Sequence, residues 1–129
     1  MKVLLVEDSR ILRNRLRSMI VAIPAALLVA ETDAEEDARS LMALHQPDVA
    51  VIDLRLKRGS GLSLLEHIVA RYPATVAIVL TNYGQPEYRN KCLQLGAHHF
   101  FDKSRDIGAF EELLAGLGRI ETKARADLH

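Results

Sequence analysis

The sequence predicts an α/β fold: a five-stranded parallel sheet with helices on both faces. Two observations carry this. Apolar runs recur at residues 3–6, 26–30, 49–54 and 76–81, with a weaker fifth at 98–103, and the strongest are continuous rather than alternating, as in strands covered on both sides. Segments with helical spacing separate them, joined by short connections, which is the pattern of a parallel sheet.

The first strand leads into Glu7 and Asp8, and Ser9 is a candidate N-cap for the first helix. There Leu12, Leu16, Met19 and Ile20 recur on one side, while Arg10, Arg13, Asn14 and Arg17 fall on the other. The second strand, 26–30, precedes a helix over 34–45 with Ala38, Leu41, Met42 and His45 inward, closed by Pro47. The third strand, 49–54, precedes a helix over 62–72 with Leu65, Ile68, Val69 and Tyr72 inward. After the fourth strand, 76–81, a helix over 86–95 begins with a proline suited to a first turn and stops at Gly96. Its apolar stripe of Tyr88, Cys92 and Leu95 is thin. The fifth strand contains "HHFFDK"; Asp106 is a candidate cap for a last helix over 107–117 that buries Phe110, Leu113, Leu114 and Leu117.

Five such units fit the flavodoxin-like (βα)5 doubly wound sheet, order 2-1-3-4-5, with right-handed crossovers and a switch point between strands 1 and 3. At 129 residues, 49% of them hydrophobic, the chain supports one core: a domain over 1–120 and a polar tail over 121–129 that extends the last helix and then frays. Lys+Arg and Asp+Glu both number 17, which argues against direct nucleic-acid binding by bulk electrostatics. The lone cysteine, Cys92, leaves neither an internal disulfide nor a cysteine metal cluster. The apolar run before Glu7 is too short for a signal peptide, and no stretch approaches the roughly 20 apolar residues of a membrane span. A soluble, cytoplasmic domain without membrane contact is expected.

The polar residues fall at the carboxyl ends of the strands: Glu7 and Asp8 after strand 1, Asp53 after strand 3, Thr81 ending strand 4 and Lys103 after strand 5. Parallel strands bring these ends to one edge, where ligands bind. Two carboxylates about 4 Å apart repel by about 4 kcal/mol at an effective dielectric of about 20. One lysine does not offset three acids; a divalent cation does, and all-oxygen ligands suit Mg²⁺ or Mn²⁺. Glu7 and Asp8 therefore read as half of a magnesium site. Asp53, fixed behind four apolar residues, reads as a nucleophile able to form an acyl phosphate. Thr81 and Lys103, with the metal, would receive the phosphoryl oxygens.

With the motifs "VLLVEDS", "VAVIDL", "GSGL", "VLTN" and "FFDKS", each at a strand end or loop, the chain resembles the receiver domain of two-component response regulators over about residues 2–120. The resemblance implies Asp53 as phosphoacceptor, Asp8 as direct metal ligand and Glu7 as the acid holding metal-bound water. It also implies the backbone carbonyl of Arg55 in the metal shell, Thr81 as switch hydroxyl, Phe100 as the aromatic that turns inward with it, and Lys103 as phosphoryl-binding lysine. A histidine kinase or phosphotransfer protein would donate the group. The readout would be an altered surface of helix 4, strand 5 and helix 5, which is also a family dimerisation face, toward a downstream target the sequence does not name. One position departs: Ser104 follows the lysine where the family has proline after a cis bond. A cis bond before serine costs about 2.5–4 kcal/mol: either packing holds that strain or the bond is trans and Lys103 sits differently, and the first is favoured because Lys103 otherwise loses its aim. No second domain accompanies the motifs, as in a single-domain regulator or an excised fragment.

Other residues read more plainly. His98 and His99, adjacent on a strand, point opposite ways and do not share a metal; His45 and His67 are helix-face residues. Arg10, Arg13, Arg15 and Arg17 form a solvated helix face, Arg10 near the acid pocket. Strand alternation separates Phe100 from Phe101, one toward the core and one toward the output surface. Arg55 and Tyr83, each two past a site residue, flank the pocket and would shield an acyl phosphate from water. A haloacid-dehalogenase-like phosphatase needs a second acid where Arg55 stands, and a flavin site needs a less acidic loop than "EDSR". The competing reading is a phosphorylation-independent interaction module on the same fold.

Overall fold

The computed structural model describes residues 1–127, with side chains through residue 120. The elements alternate: β1 (Lys2–Val6), α1 (Arg10–Val21), β2 (Leu27–Thr32), α2 (Glu35–His45), β3 (Val49–Ile52), α3 (Gly61–Arg71), β4 (Val76–Thr81), α4 (Pro86–Leu95), β5 (His99–Asp102) and α5 (Ile107–Asp127). All strand pairs are parallel, in the expected order β2-β1-β3-β4-β5.

Side-chain alternation along each strand feeds two cores. Leu4, Val6, Ala50, Ile52, Ala77 and Val79 pack with Met42, Leu65, Ile68 and Cys92 beneath α2, α3 and α4. Val3, Leu5, Val49, Val51, Ile78 and Leu80 pack with Leu16, Ile20, Phe110 and Leu114 beneath α1 and α5. The central strands β1, β3 and β4 are covered on both faces, so residues 3–6, 49–52 and 76–80 are apolar without interruption.

Three local differences stand out. β2 continues through Glu31 and Thr32, two polar residues that pair with Leu5 and Val6 of β1. Arg13 and Arg17 are half-buried rather than part of a solvated face: Arg17 donates from Nε to Glu31 Oε2 at 2.7 Å and also through Nη2 to Oε1, while Arg13 Nε lies 3.7 Å from the same carboxylate. Arg10 and Arg15 remain exposed. In α4 only Cys92 is buried; Tyr88 turns outward and meets Tyr83 edge-on, ring centroids 5.9 Å apart. α5 continues past 117 to Asp127, as expected of the tail, and the end of the tail where fraying is expected lies outside the described residues.

Caps place the helices at the strand ends. Ser9 Oγ accepts from Leu12 N at 3.3 Å at the start of α1, and Ser60 Oγ accepts from Ser63 N at 3.3 Å at the start of α3. Gly61 opens α3 so close to β3 that a Cβ there would stand 2.0 Å from Asp53 O. The second glycine of "GSGL" is therefore required by close approach of backbone to backbone.

Candidate functional site

The strand order brings the ends of β1, β3, β4 and β5 to one edge, and the polar residues there enclose a cavity of about 190 Å³. Its wall contains Glu7, Asp8, Asp53, Arg55, Tyr83 and Lys103, all expected from the sequence, together with Asn82, which sequence reasoning missed. Asn82 directly follows the strand-end Thr81, and that adjacency was the available signal.

Lys103 is the centre of the arrangement. Its Nζ lies 2.5 Å from Glu7 Oε1 and 3.0 Å from Asp53 Oδ2, and the three side chains are only 6%, 1% and 8% exposed. Burial pushes the Glu7 carboxyl up to about 7; neighbouring Asp53 adds to the rise and the Lys103 ammonium opposes it. One ammonium thus serves two carboxylates and leaves the pair under-compensated. Glu7 Oε1 has no properly directed hydrogen bond despite the nearby ammonium, whereas Glu7 Oε2 accepts from Ser9 N at 3.2 Å.

Asp8 stands exposed at the rim. As the side chains stand, no group of three acids, histidines or cysteines among the described residues is close enough to hold a metal. The donor chemistry nevertheless fits a hard dication. Glu7, Asp8 and Asp53 present only oxygens to one cavity, and one buried Glu7 oxygen lacks a directed partner.

Thr81 is fully buried, and its hydroxyl accepts from Tyr83 N–H at 3.2 Å rather than lining the cavity. Its carbonyl accepts from Lys103 N–H at 2.9 Å, so the β4 end holds the backbone of the lysine. Arg55 Nη1 donates to Tyr83 Oη at 2.5 Å, with the guanidinium 5.1 Å from that ring centroid, forming a strut between the loops after β3 and β4. Arg55 N–H also points at Asp53 Oδ1, 3.5 Å away.

Phe100 and Phe101 face opposite sides, as alternation requires. Phe100 is buried in the α2–α3–α4 core under the Arg89 guanidinium, 6.0 Å from its centroid. Phe101 packs edge-on against Phe110 at 6.0 Å. Among the described residues every peptide bond is trans, Lys103–Ser104 included, which corrects the expectation of a cis bond there. Lys103 Nζ nevertheless stands between Glu7 and Asp53, and in the turn after β5 Asp102 Oδ1 accepts from both Ser104 N and Ser104 Oγ. Asp106, expected to cap α5, instead turns its carboxylate back to Asp102 N–H at 2.9 Å.

The sequence matches the response regulator receiver domain family over residues 3–115. It is 38% identical over 80 residues to the response regulator protein PilR of Pseudomonas aeruginosa, covering 62% of this chain and 18% of that protein. It is 30% identical over 123 residues to the DNA-binding transcriptional activator DevR/DosR of Mycobacterium tuberculosis, covering 88% and 57%. It is 33% identical over 127 residues to a protein-glutamate methylesterase/protein-glutamine glutaminase of Paraburkholderia xenovorans, covering 97% and 34%. The chain thus spans between 18% and 57% of the length of these relatives. Among solved structures, the REC domain of AraT, a response regulator from Geobacillus stearothermophilus, superimposes with a TM-score of 0.81 at 26% identity, covering 96% of this chain and 97% of that one. The parallel sheet, the acid–lysine pocket at its carboxyl edge and a family match spanning nearly the whole length show that this chain belongs to the response regulator receiver domain family.

Proposed function

We propose that Asp53 accepts a phosphoryl group from a histidine kinase or phosphotransfer protein in a Mg²⁺-dependent reaction. The observation that carries this reading is Lys103 Nζ, 3.0 Å from Asp53 Oδ2 in a buried setting. An Asp53 oxygen forms the bond to phosphorus, the donor's bond to phosphorus breaks, and the donor leaves with that electron pair. Lys103 shifts from the free carboxylate toward the incoming phosphoryl oxygens, where its charge opposes the charge that builds in transfer. Thr81 supplies a hydroxyl to the same group after releasing Tyr83 N–H. Glu7, Asp8, Asp53 and the Arg55 carbonyl are the residues that would hold Mg²⁺ (or Mn²⁺), and the bound dication supplies charge neutralisation at the phosphoryl oxygens.

Phosphorylation then alters the α4–β5–α5 surface through Thr81 and Phe100 and presents it to a downstream protein or to a second copy of the chain. Residues 1–120 act as the receiver domain and 121–129 as an appended tail. Balanced charge supports protein partners rather than direct nucleic-acid contact. No helix of the described residues is long and apolar enough to cross a membrane, which supports a cytoplasmic switch working with its kinase. The chain works as a signalling switch, its only chemistry its own phosphorylation and dephosphorylation.

A second reading, a phosphorylation-independent interaction module, is favoured by one observation: among the described residues the acids are not gathered as a metal cluster. Incubation with acetyl phosphate and excess Mg²⁺, followed by intact-mass measurement, separates the two. A gain of about 80 Da that disappears in Asp53→Asn supports phosphoryl acceptance. No gain by folded protein supports the module.

A further inference from the structure

We propose that Asp102 is a positioning residue for Lys103: its carboxylate clamps the turn after β5 and so holds the lysine ammonium between Glu7 and Asp53. The proposal rests on the phosphoacceptor reading only for its consequence in phosphoryl transfer. The clamp itself is read from geometry.

Lys103 lies one residue past the end of β5, on a turn, and its long stem is free to swing unless its backbone is held. On one side Lys103 N–H is tied to Thr81 O. On the other side Asp102 does the holding through every polar group it has. Its Oδ1 accepts from Ser104 N at 2.8 Å and from Ser104 Oγ at 2.6 Å, an Asx turn that spans Lys103. Its carbonyl accepts from Asp106 N at 2.7 Å and Arg105 N at 3.2 Å, and its N–H donates to Asp106 Oδ2 at 2.9 Å. Asp102 thus bonds on both sides of the lysine it precedes.

The second carboxylate oxygen fixes the clamp in space. Asp102 Oδ2 presses against Gly84, where a Cβ would come within 2.0 Å, and Arg105 Nη2 lies 3.6 Å away. Gly84 belongs to the loop that carries Asn82 and Tyr83, two walls of the cavity. A capping aspartate at the surface would need neither burial nor a glycine opposite. Asp102 is buried to 9% exposure and has both. One carboxylate therefore sets the distance between the lysine-bearing turn and the loop after β4.

The test is the reactivity of the lysine amine, read by acetic anhydride labelling and peptide mass spectrometry, with exposed Lys57 and Lys91 as internal references. Asp102→Ala is expected to label at Lys103 about tenfold faster than the wild type while Lys57 and Lys91 are unchanged. Asp102→Asn keeps an oxygen for the Ser104 donors and is expected to stay within about threefold of the wild type. Phosphoryl gain from acetyl phosphate should slow about tenfold in Asp102→Ala and recover in Asp102→Asn. Wild-type protection of Lys103 in folded Asp102→Ala overturns the proposal, as does equal exposure in the Ala and Asn variants. Should Asp102→Ala not fold, Gly84→Ala, whose methyl displaces the carboxylate, is judged by the same criterion. The labelling requires no phosphoryl donor, so a wild type that takes up no phosphate sinks the proposed function and leaves this test standing.

Discussion

Lys103 Nζ sits 3.0 Å from Asp53 Oδ2 across fifty positions of sequence, both side chains more than nine-tenths buried. A buried ion pair is costly to break because the surviving charge has no solvent. Lys103→Met, of similar length but uncharged, should therefore lose about 3 kcal/mol of stability in urea unfolding at neutral pH. Added Mg²⁺ should restore part of that loss by supplying charge to Glu7 and Asp53. A loss below about 1 kcal/mol would mean that the pair behaves like a solvated surface bridge.

Arg55 and Tyr83 join two sides of the cavity wall, and the pair would shield an acyl phosphate on Asp53 from solvent. Arg55→Ala/Tyr83→Ala should hydrolyse its phosphoryl group about three to ten times faster than the wild type, a barrier change of about 1 kcal/mol. Each single variant should capture most of the effect, since the two side chains act as one unit. Loss of the added mass with time reads it directly. Equal or slower hydrolysis in the double variant excludes shielding.

Glu31 responds to acid. Hydrogen bonding from Arg17 holds its carboxyl below the usual value, against a smaller opposing effect of burial. A carboxylate with a depressed folded pKa contributes stability above its unfolded pKa and loses it as pH falls through the folded value. Glu31→Gln should thus be less stable than the wild type at pH 7 by about 0.5–1 kcal/mol, a figure kept small by the partial exposure of both partners. The gap should close as the pH drops below the ordinary carboxylate range. Urea unfolding curves across that range test the sign.

Cys92 is fully buried beneath α4, and burial pushes its thiol up to about 11. At pH 8 about one thiol in a thousand would be ionised even with free access. Native protein should react with a disulfide reagent about a hundredfold more slowly than urea-unfolded protein, at a rate set by opening of α4. Rapid labelling of the native state would show that α4 is loosely held.

The sheet was legible because strands buried on both sides leave an uninterrupted apolar record, and the pocket was legible because parallel strands send consecutive motifs to one edge. What escaped depends on partners distant in sequence or on hydroxyl direction. Glu31 looks like a strand terminator until Arg13 and Arg17 are seen to cover it. The strand-end position of Thr81 points to the pocket, yet its hydroxyl oxygen accepts from Tyr83 N–H. The trans bond at Lys103 was missed because the satisfaction of that turn by Asp102 and Ser104 is a matter of hydrogen-bond geometry, which residue identity alone does not display. Of these, only the Asx-turn pattern left a trace in the residues themselves.

The bare backbone at Gly61 sets how closely α3 approaches the strand end that carries Asp53. With no room for even a methyl group against the Asp53 carbonyl, the third helix abuts the sheet at the very peptide whose side chain faces the cavity. Any substituent there would push that helix outward from the Asp53 main chain, so the chemistry proposed at residue 53 depends on a position outside the cavity wall.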